Sequence, residues 1–205
     1  MGFKVEPVTL AGEHVRLEPL SLAHVEGLFA IGQQREDWAY LPVPGLCAAA
    51  DARQWVEQAL QLAERGAQCP FVLVHPASGR PMGSTRFMNI RERDRGLEIG
   101  YSWLGRDYQR TAVNTEAKYL LLSHAFDALD ALRVELKTDL RNLRSQRAIE
   151  RLGASREGVF RRHMLAQDGH VRDSVYYSIT DLDWPGVRAG LQSRLQHTTP
   201  ATPPT

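Results

Sequence analysis

Two short segments of this 205-residue chain hold the residue types and spacings that could do chemistry. In the first, Trp103-Leu104-Gly105-Arg106-Asp107-Tyr108-Gln109-Arg110-Thr111-Ala112-Val113-Asn114-Thr115-Glu116-Ala117, a strand runs into a loop of small and polar residues that opens a long helix. The exposed backbone N–H groups of such a turn, with the helix dipole behind them, make a seat for phosphate. Arg110 can add a charge-assisted bond to the same anion. The plainer reading is that Asn114 or Thr115 caps a helix. In the second segment, Thr138 to Ala154, a strand ends, Asn142 and Ser145 follow three residues apart, and a short helix stops at Leu152-Gly153-Ala154. Asn142 and Ser145 also read as a cap and a first-turn residue. The five arginines between 141 and 156 read equally as a solvated face.

Other chemistries lack their residues. No GxGxxG follows a strand, and GxxxxGK[ST], HExxH and GxSxG are absent, which removes dinucleotide, nucleotide-triphosphate, zinc-protease and serine-hydrolase sites. The seven His residues show no paired ligand spacing, so no metal is expected. Lys and Arg number 25 against 24 Asp and Glu, a net charge of +1. That balance argues against a protein that lives on nucleic-acid backbone. No apolar run approaches the roughly 18 residues of a membrane helix, and the N-terminus lacks the apolar core of a secretory signal. Cys47 and Cys69 form no ligand-like cluster, consistent with a reducing, cytoplasmic setting.

The elements that must position these segments are legible in periodicity. His14-Val15-Arg16-Leu17-Glu18 alternates as a strand. Ser21 caps a helix carrying Leu22, Val25, Leu28, Phe29 and Gly32. Leu41-Pro42-Val43-Pro44-Gly45 blocks any helix, and Asp51 can cap a second one from Ala52 to about Arg65. Phe71–Val74 and Gly83–Met88 flank the turn residues Ala77-Ser78-Gly79-Arg80, and Leu97–Leu104 forms the next strand. A helix follows from Thr115 to about Leu129, then a strand at Val134–Thr138. Asn142 or Ser145 starts a short helix that Gly153 stops. A last hairpin, Phe160 to Leu165 and Val171 to Ile179, turns at Asp168-Gly169. This βααβββαβαββ order gives an α+β single domain, a mixed sheet with helices packed on it. The Thr/Pro-rich tail from His197 has almost nothing to bury and is expected to be disordered or extended.

Taken together, the two segments resemble the GCN5-related N-acetyltransferases (GNAT), in particular their RimJ/RimL-like branch. The resemblance covers residues 11–184, with 1–10 as a lead-in and 185–205 as an extension. It rests on His14-Val15-Arg16-Leu17-Glu18-Pro19-Leu20, Leu97-Glu98-Ile99-Gly100-Tyr101, Asn114-Thr115-Glu116-Ala117-Lys118, Arg141-Asn142, Ser145-Gln146, Arg151-Leu152-Gly153-Ala154 and Glu157-Gly158. It implies a mostly antiparallel sheet flanked by helices and an enzyme that passes an acetyl group from acetyl-coenzyme A to an amine. The acceptor is a protein or peptide N-terminus or a small-molecule amine, and the resemblance also suggests a homodimer. The family's pyrophosphate loop, Gln/Arg-x-x-Gly-x-Gly/Ala, falls on Gln109-Arg110-Thr111-Ala112-Val113-Asn114. Glycine is replaced at Ala112 and Asn114, so the loop is expected to survive with coenzyme affinity the affected quantity.

By the same resemblance the pantetheine arm pairs with the strand edge at Ser102, Trp103 and Leu104, and Asn142 holds the coenzyme through its amide. Ser145 sits at the RimL-like position whose hydroxyl contacts the coenzyme sulfur. A protein amine often arrives protonated, so a base must take its proton. Glu98 is the first candidate, its alternative role being partner to a nearby Arg; His163 is the second. Tyr108 and Tyr177 are fallback acids. Backbone N–H groups near Tyr101–Trp103 can polarise the thioester carbonyl. Trp38, Tyr40 and Trp55 lie where an acceptor pocket would form, with core packing the alternative for Trp55. Competing readings are a coenzyme A-binding module without turnover and a scaffold for RNA or an acidic partner.

Overall fold

The unbroken apolar run Phe71–Val74, buried at every residue, requires a sheet covered on both faces, and that is what forms. The computed structural model describes residues 2–197 apart from 42, 44 and 167. Eight strands, β1 (Leu10–Ala11), β2 (Arg16–Pro19), β3 (Gln68–Val74), β4 (Pro81–Arg91), β5 (Gly96–Leu104), β6 (Arg133–Asp139), β7 (Ser155–Leu165) and β8 (Val171–Thr180), make one sheet in the order β1-β2-β3-β4-β5-β6-β8-β7. Every pairing is antiparallel except β5 with β6. Five helices join them: α1 (Val25–Ile31), α2 (Ala49–Glu64), α3 (Ala112–Ser123), α4 (Leu143–Leu152) and α5 (Trp184–Gln196).

Strand alternation sorts the core into two layers. Phe71 and Leu73 face one side with Phe87, Leu97, Ile99 and the buried stripe of α3, Val113, Ala117, Leu121 and Leu122. Val72 and Val74 face the other, under α1 and α2, with Leu28, Val56 and three tryptophans, Trp38, Trp55 and Trp103. The three indoles lie 4.7–6.3 Å apart between ring centroids. Trp38 and Trp55 are therefore core residues.

Several boundaries differ from expectation. α2 starts at Ala49, a turn early, because Asp51 accepts the Ala48 N–H at 2.7 Å from inside the helix. α3 starts at Ala112 rather than Thr115, since Thr111 is its cap: the Thr111 hydroxyl accepts from the Val113 N–H at 3.3 Å and donates to the Tyr108 carbonyl at 2.7 Å. Neither Asn114 nor Thr115 caps it. The helical course continues through a widened turn, His124–Ala128, closed by the Leu129 N–H on the His124 carbonyl.

After β8 the chain adds a helix that sequence reading did not anticipate. Trp184 stacks on Phe126 at 5.3 Å and its indole donates to Asp127 at 2.8 Å, while Val187 and Leu191 are buried beside it. The packed body thus extends past 184. The Thr/Pro tail from residue 198 lies outside the described residues, as do Pro42 and Pro44 of the expected connection.

Candidate active site

The site begins where the sheet divides. β5 and β6 pair in parallel over only Gly96–Glu98 and Arg133–Glu135. Beyond Glu98, β5 stays with β4 while β6 follows β8. The edge of β5 that carries Ser102, Trp103 and Leu104 thereby has no partner strand on the side of the gap. The Trp103 side chain is turned into the tryptophan cluster, so only its backbone can serve a ligand there. At the bend Tyr101 has φ +50, an uncommon conformation for a non-glycine residue. The β4–β5 register shifts at the same point.

The two chemistry-bearing turns meet at the end of this gap. Arg110 takes the left-handed conformation, φ +62, and Ala112 already belongs to the first turn of α3. The positive φ is thus carried at 110, and neither Ala112 nor Asn114 needs glycine's freedom. The first-turn N–H groups of Ala112 and Asn114 have no carbonyl behind them in the helix, the arrangement that receives phosphate. Gln109 donates from its amide to the Leu104 carbonyl at 3.0 Å and accepts from Arg144 at 3.1 Å. Arg144, which sequence reading left in a solvated face, therefore ties α4 to the loop. Asn142 caps α4: its side-chain oxygen accepts the Ser145 N–H at 3.0 Å, which leaves the amide nitrogen for a ligand. Ser145 sits half-buried in the first turn. This loop fits a pyrophosphate-bearing coenzyme.

Glu98 is 2% exposed. Its Oε2 accepts from Asn89 at 2.7 Å and from Lys137 at 2.9 Å; the partner is a lysine on β6, not an arginine. Its Oε1 lies beside Gly100, where a Cβ would stand 3.2 Å from it and 2.6 Å from the Met88 sulfur. Glycine at 100 keeps that oxygen's surroundings open. His163 is held at both ring nitrogens, Nδ1 to Ser174 at 3.0 Å and Nε2 to Tyr176 at 3.2 Å. Burial, then Lys137 and Arg172, lower its pKa. With both nitrogens engaged it is a poor base. Tyr177 is buried and donates to Glu150 at 3.0 Å, and Tyr108 packs half-buried against the core; both are structural.

Two buried cations flank the bend. Arg86 lies between the Trp55 and Tyr101 rings, at 4.7 and 4.4 Å, and donates to Gln68 at 2.8 Å. Burial pulls it down to about 10, which leaves it charged at neutral pH. On the opposite face Lys118 of α3 is 6% exposed and donates to the Ser102 hydroxyl at 2.6 Å. Burial pulls its pKa to about 7. Between that value and the ordinary lysine value the unfolded chain binds more protons than the folded one. Lys118 therefore costs most stability below pH 7, and stability rises with pH above it. Sequence reading missed both residues. Beyond the gap, a recess of ≈ 10 Å³, about the room of one water, is lined by Tyr40, Leu41, Asp139, Met164, Leu165, Ala166 and Arg172. Among the described residues no group of three His, Cys, Asp or Glu could hold a metal, and no helix is long and apolar enough to cross a membrane.

A sheet opened between two parallel strands, with a helix N-terminus at the mouth, defines a coenzyme A-dependent acyltransferase. Comparison with known proteins agrees. The acetyltransferase (GNAT) domain family matches residues 14–155, and the chain belongs to this family of acyl-CoA-dependent N-acetyltransferases. It is 31% identical over 108 residues to the protein named "Putative ribosomal N-acetyltransferase YdaF" of Bacillus subtilis (strain 168), a match that spans 53% of this chain and 58% of YdaF. A GCN5-related N-acetyltransferase from Brucella melitensis superposes with TM-score 0.87 at 31% identity, over 94% of this chain and 87% of the other. Mycobacterium smegmatis RimJ, solved with CoA-disulfide, shares the fold at TM-score 0.79 and 22% identity, over 92% and 95% of the two chains.

Proposed function

We propose that this protein transfers the acetyl group of acetyl-CoA to a primary amine, with a protein or peptide N-terminus as the favoured acceptor, by direct attack in a ternary complex. The observation that carries the reading is the parting of β5 from β6 after Glu98, with the loop 109–114 and the start of α4 joined at its end by Arg144 and Gln109. The first-turn N–H groups of α3 and Arg110 hold the pyrophosphate, the open edge at Ser102–Leu104 holds the pantetheine, and the Asn142 amide adds a contact. The amine nitrogen attacks the thioester carbonyl; the C–N bond forms and the C–S bond breaks. The Tyr101 N–H faces the developing oxyanion. Glu98 takes the amine proton through a water, because it is buried rather than open to the acceptor. The Ser145 hydroxyl stabilises the leaving thiolate, which takes a proton from water and ends as the coenzyme thiol, while Glu98 returns its proton to solvent.

YdaF's name supports the protein acceptor. A cytoplasmic site of action and a homodimer follow from the resemblance alone. The scaffold alternative loses ground because Arg141 is engaged by Asp139 and Arg144 by Gln109. Calorimetric titration with acetyl-CoA, against ATP and NAD, is the test. One-site binding weakened by Arg110→Ala and by Asn142→Ala is expected, together with thiol release when peptides with free N-termini are added. Binding without thiol release from any amine would leave the non-catalytic module. No binding at millimolar donor would reject the reading.

A further inference from the structure

Lys118 takes no part in these steps, yet its burial is costly to the fold. Its amine is buried with no counter-charge, since burial is the sole influence on its pKa. Glu116, two residues earlier, is turned away to the β1–β2 connection. A methionine would fill the same volume without that cost. A charged group kept where it lowers stability marks a functional site.

What it touches tells which function. In its protonated form Lys118 only donates, and its bond at 2.6 Å then runs from Nζ to the Ser102 hydroxyl. The one Ser102 proton can then go to the Thr85 hydroxyl, 2.7 Å away. The one Thr85 proton goes to the Gly100 carbonyl across a longer contact of 3.5 Å. The chain has a single direction and ends on a peptide oxygen. That peptide is the Gly100–Tyr101 unit, and it is trans, so its N–H points opposite to its carbonyl. The carbonyl faces Thr85 on β4. The Tyr101 N–H therefore faces away from β4, into the gap where β5 has left β6.

Resting on the acetyl-transfer reading, we infer that Lys118 is a positioning residue: through Ser102 and Thr85 it fixes and polarises the Gly100–Tyr101 peptide, so that the Tyr101 N–H is set against the thioester carbonyl. Aligned hydrogen bonds strengthen one another, and the cation at the head of the chain makes the terminal N–H a better donor. α3 thus does two things, seating the pyrophosphate at its N-terminus and tuning the oxyanion contact one turn further on.

The full chain, its Lys118→Met and Ser102→Ala variants and the double variant test this. Acetyl-CoA affinity is measured by calorimetry, stability by thermal melting at pH 7, turnover with an accepted amine, and the carbonyl stretch of bound, carbonyl-labelled acetyl-CoA by infrared difference spectroscopy. Lys118→Met is expected to slow kcat about tenfold, a fraction of what losing a whole oxyanion donor costs. Its affinity for acetyl-CoA should stay within about twofold, its Tm should not fall, and the bound carbonyl stretch should move back toward its free value. The double variant should be no slower than the slower single one, because the two residues lie on one chain. An unchanged stretch, an affinity loss equal to the loss in kcat, or effects that add independently would overturn the inference. If Lys118→Met does not fold, Ser102→Ala decides alone: the residue is exposed, so the change leaves the core intact, and an unshifted carbonyl stretch rejects the relay. Wild-type protein that binds no acetyl-CoA rejects acetyl transfer itself. Binding with no effect of either variant rejects only the role of Lys118.

Discussion

Glu98→Gln is expected to lower kcat by roughly 10²–10³-fold at pH 7, within the range for loss of a general base, with little change in acetyl-CoA affinity. The amide keeps the shape of the side chain but cannot accept the amine's proton. It also leaves Lys137, whose partner is the Glu98 Oε2 at 2.9 Å, without its counter-charge. The pH dependence separates these effects. An α-amine titrates near about 7.7–8.0, so above that range the acceptor arrives neutral and needs less help. The ratio of wild-type to variant rate should shrink steadily toward pH 9.5 if Glu98 is the base. A ratio that stays constant with pH, or an acetyl-CoA Kd that rises as much as kcat falls, would make Glu98 only the partner of Lys137.

Glu116→Ala should have the largest effect on stability. Its carboxylate accepts three backbone N–H groups, from Glu13 at 3.0 Å, His14 at 2.7 Å and Val15 at 2.8 Å. This fastens the turn between β1 and β2 to α3. Alanine strands all three donors at about 1–3 kcal/mol each, and partial exposure of the first two brings the expected total to about 3–5 kcal/mol. For a chain of this size that lowers Tm by roughly 10 °C. Glu116→Gln, which can still accept at one oxygen, should lose about half as much. Urea and thermal denaturation check both, and an alanine variant within about 1 kcal/mol of wild type would show that water replaces the carboxylate.

How much of this was legible depends on the range over which each feature is specified. The coenzyme loop is made of backbone geometry within a few residues, so its strand, turn and helix could be read from Trp103 to Ala117. Its register could not, because Asn114 is a good cap in isolation and the choice of Thr111 depends on the Tyr108 carbonyl. α5 was missed because Pro185, Gly186 and Gly190 obscure its helical spacing of Trp184, Val187 and Leu191. β1 is too short to show a period. The charged contacts of the site were illegible for a different reason. Lys137 meets Glu98 across 39 residues and Lys118 meets Ser102 across 16, and which strand or helix face brings them together is set only by tertiary packing. The segment Asn114–Lys118 carried the family resemblance before its parts had reasons. Glu116 supplies a structural one and Lys118 a functional one.

The brevity of the β5–β6 seam also bears on how the chain reaches its fold. β3, β4 and β5 pair in sequence order across short turns, so they can assemble through local contacts that close quickly. The seam joins Gly96–Glu98 to residues 133–135 and must wait for α3 to be made. Until then β5 is a bare sheet edge, apolar at Leu97 and Ile99, of the kind that pairs with other chains. In pulse-labelled hydrogen exchange the seam amides should gain protection after those between β3 and β4; earlier protection would exclude this order. The opening that admits the coenzyme in the finished enzyme is, during synthesis, the place where the growing chain is most exposed to misassembly.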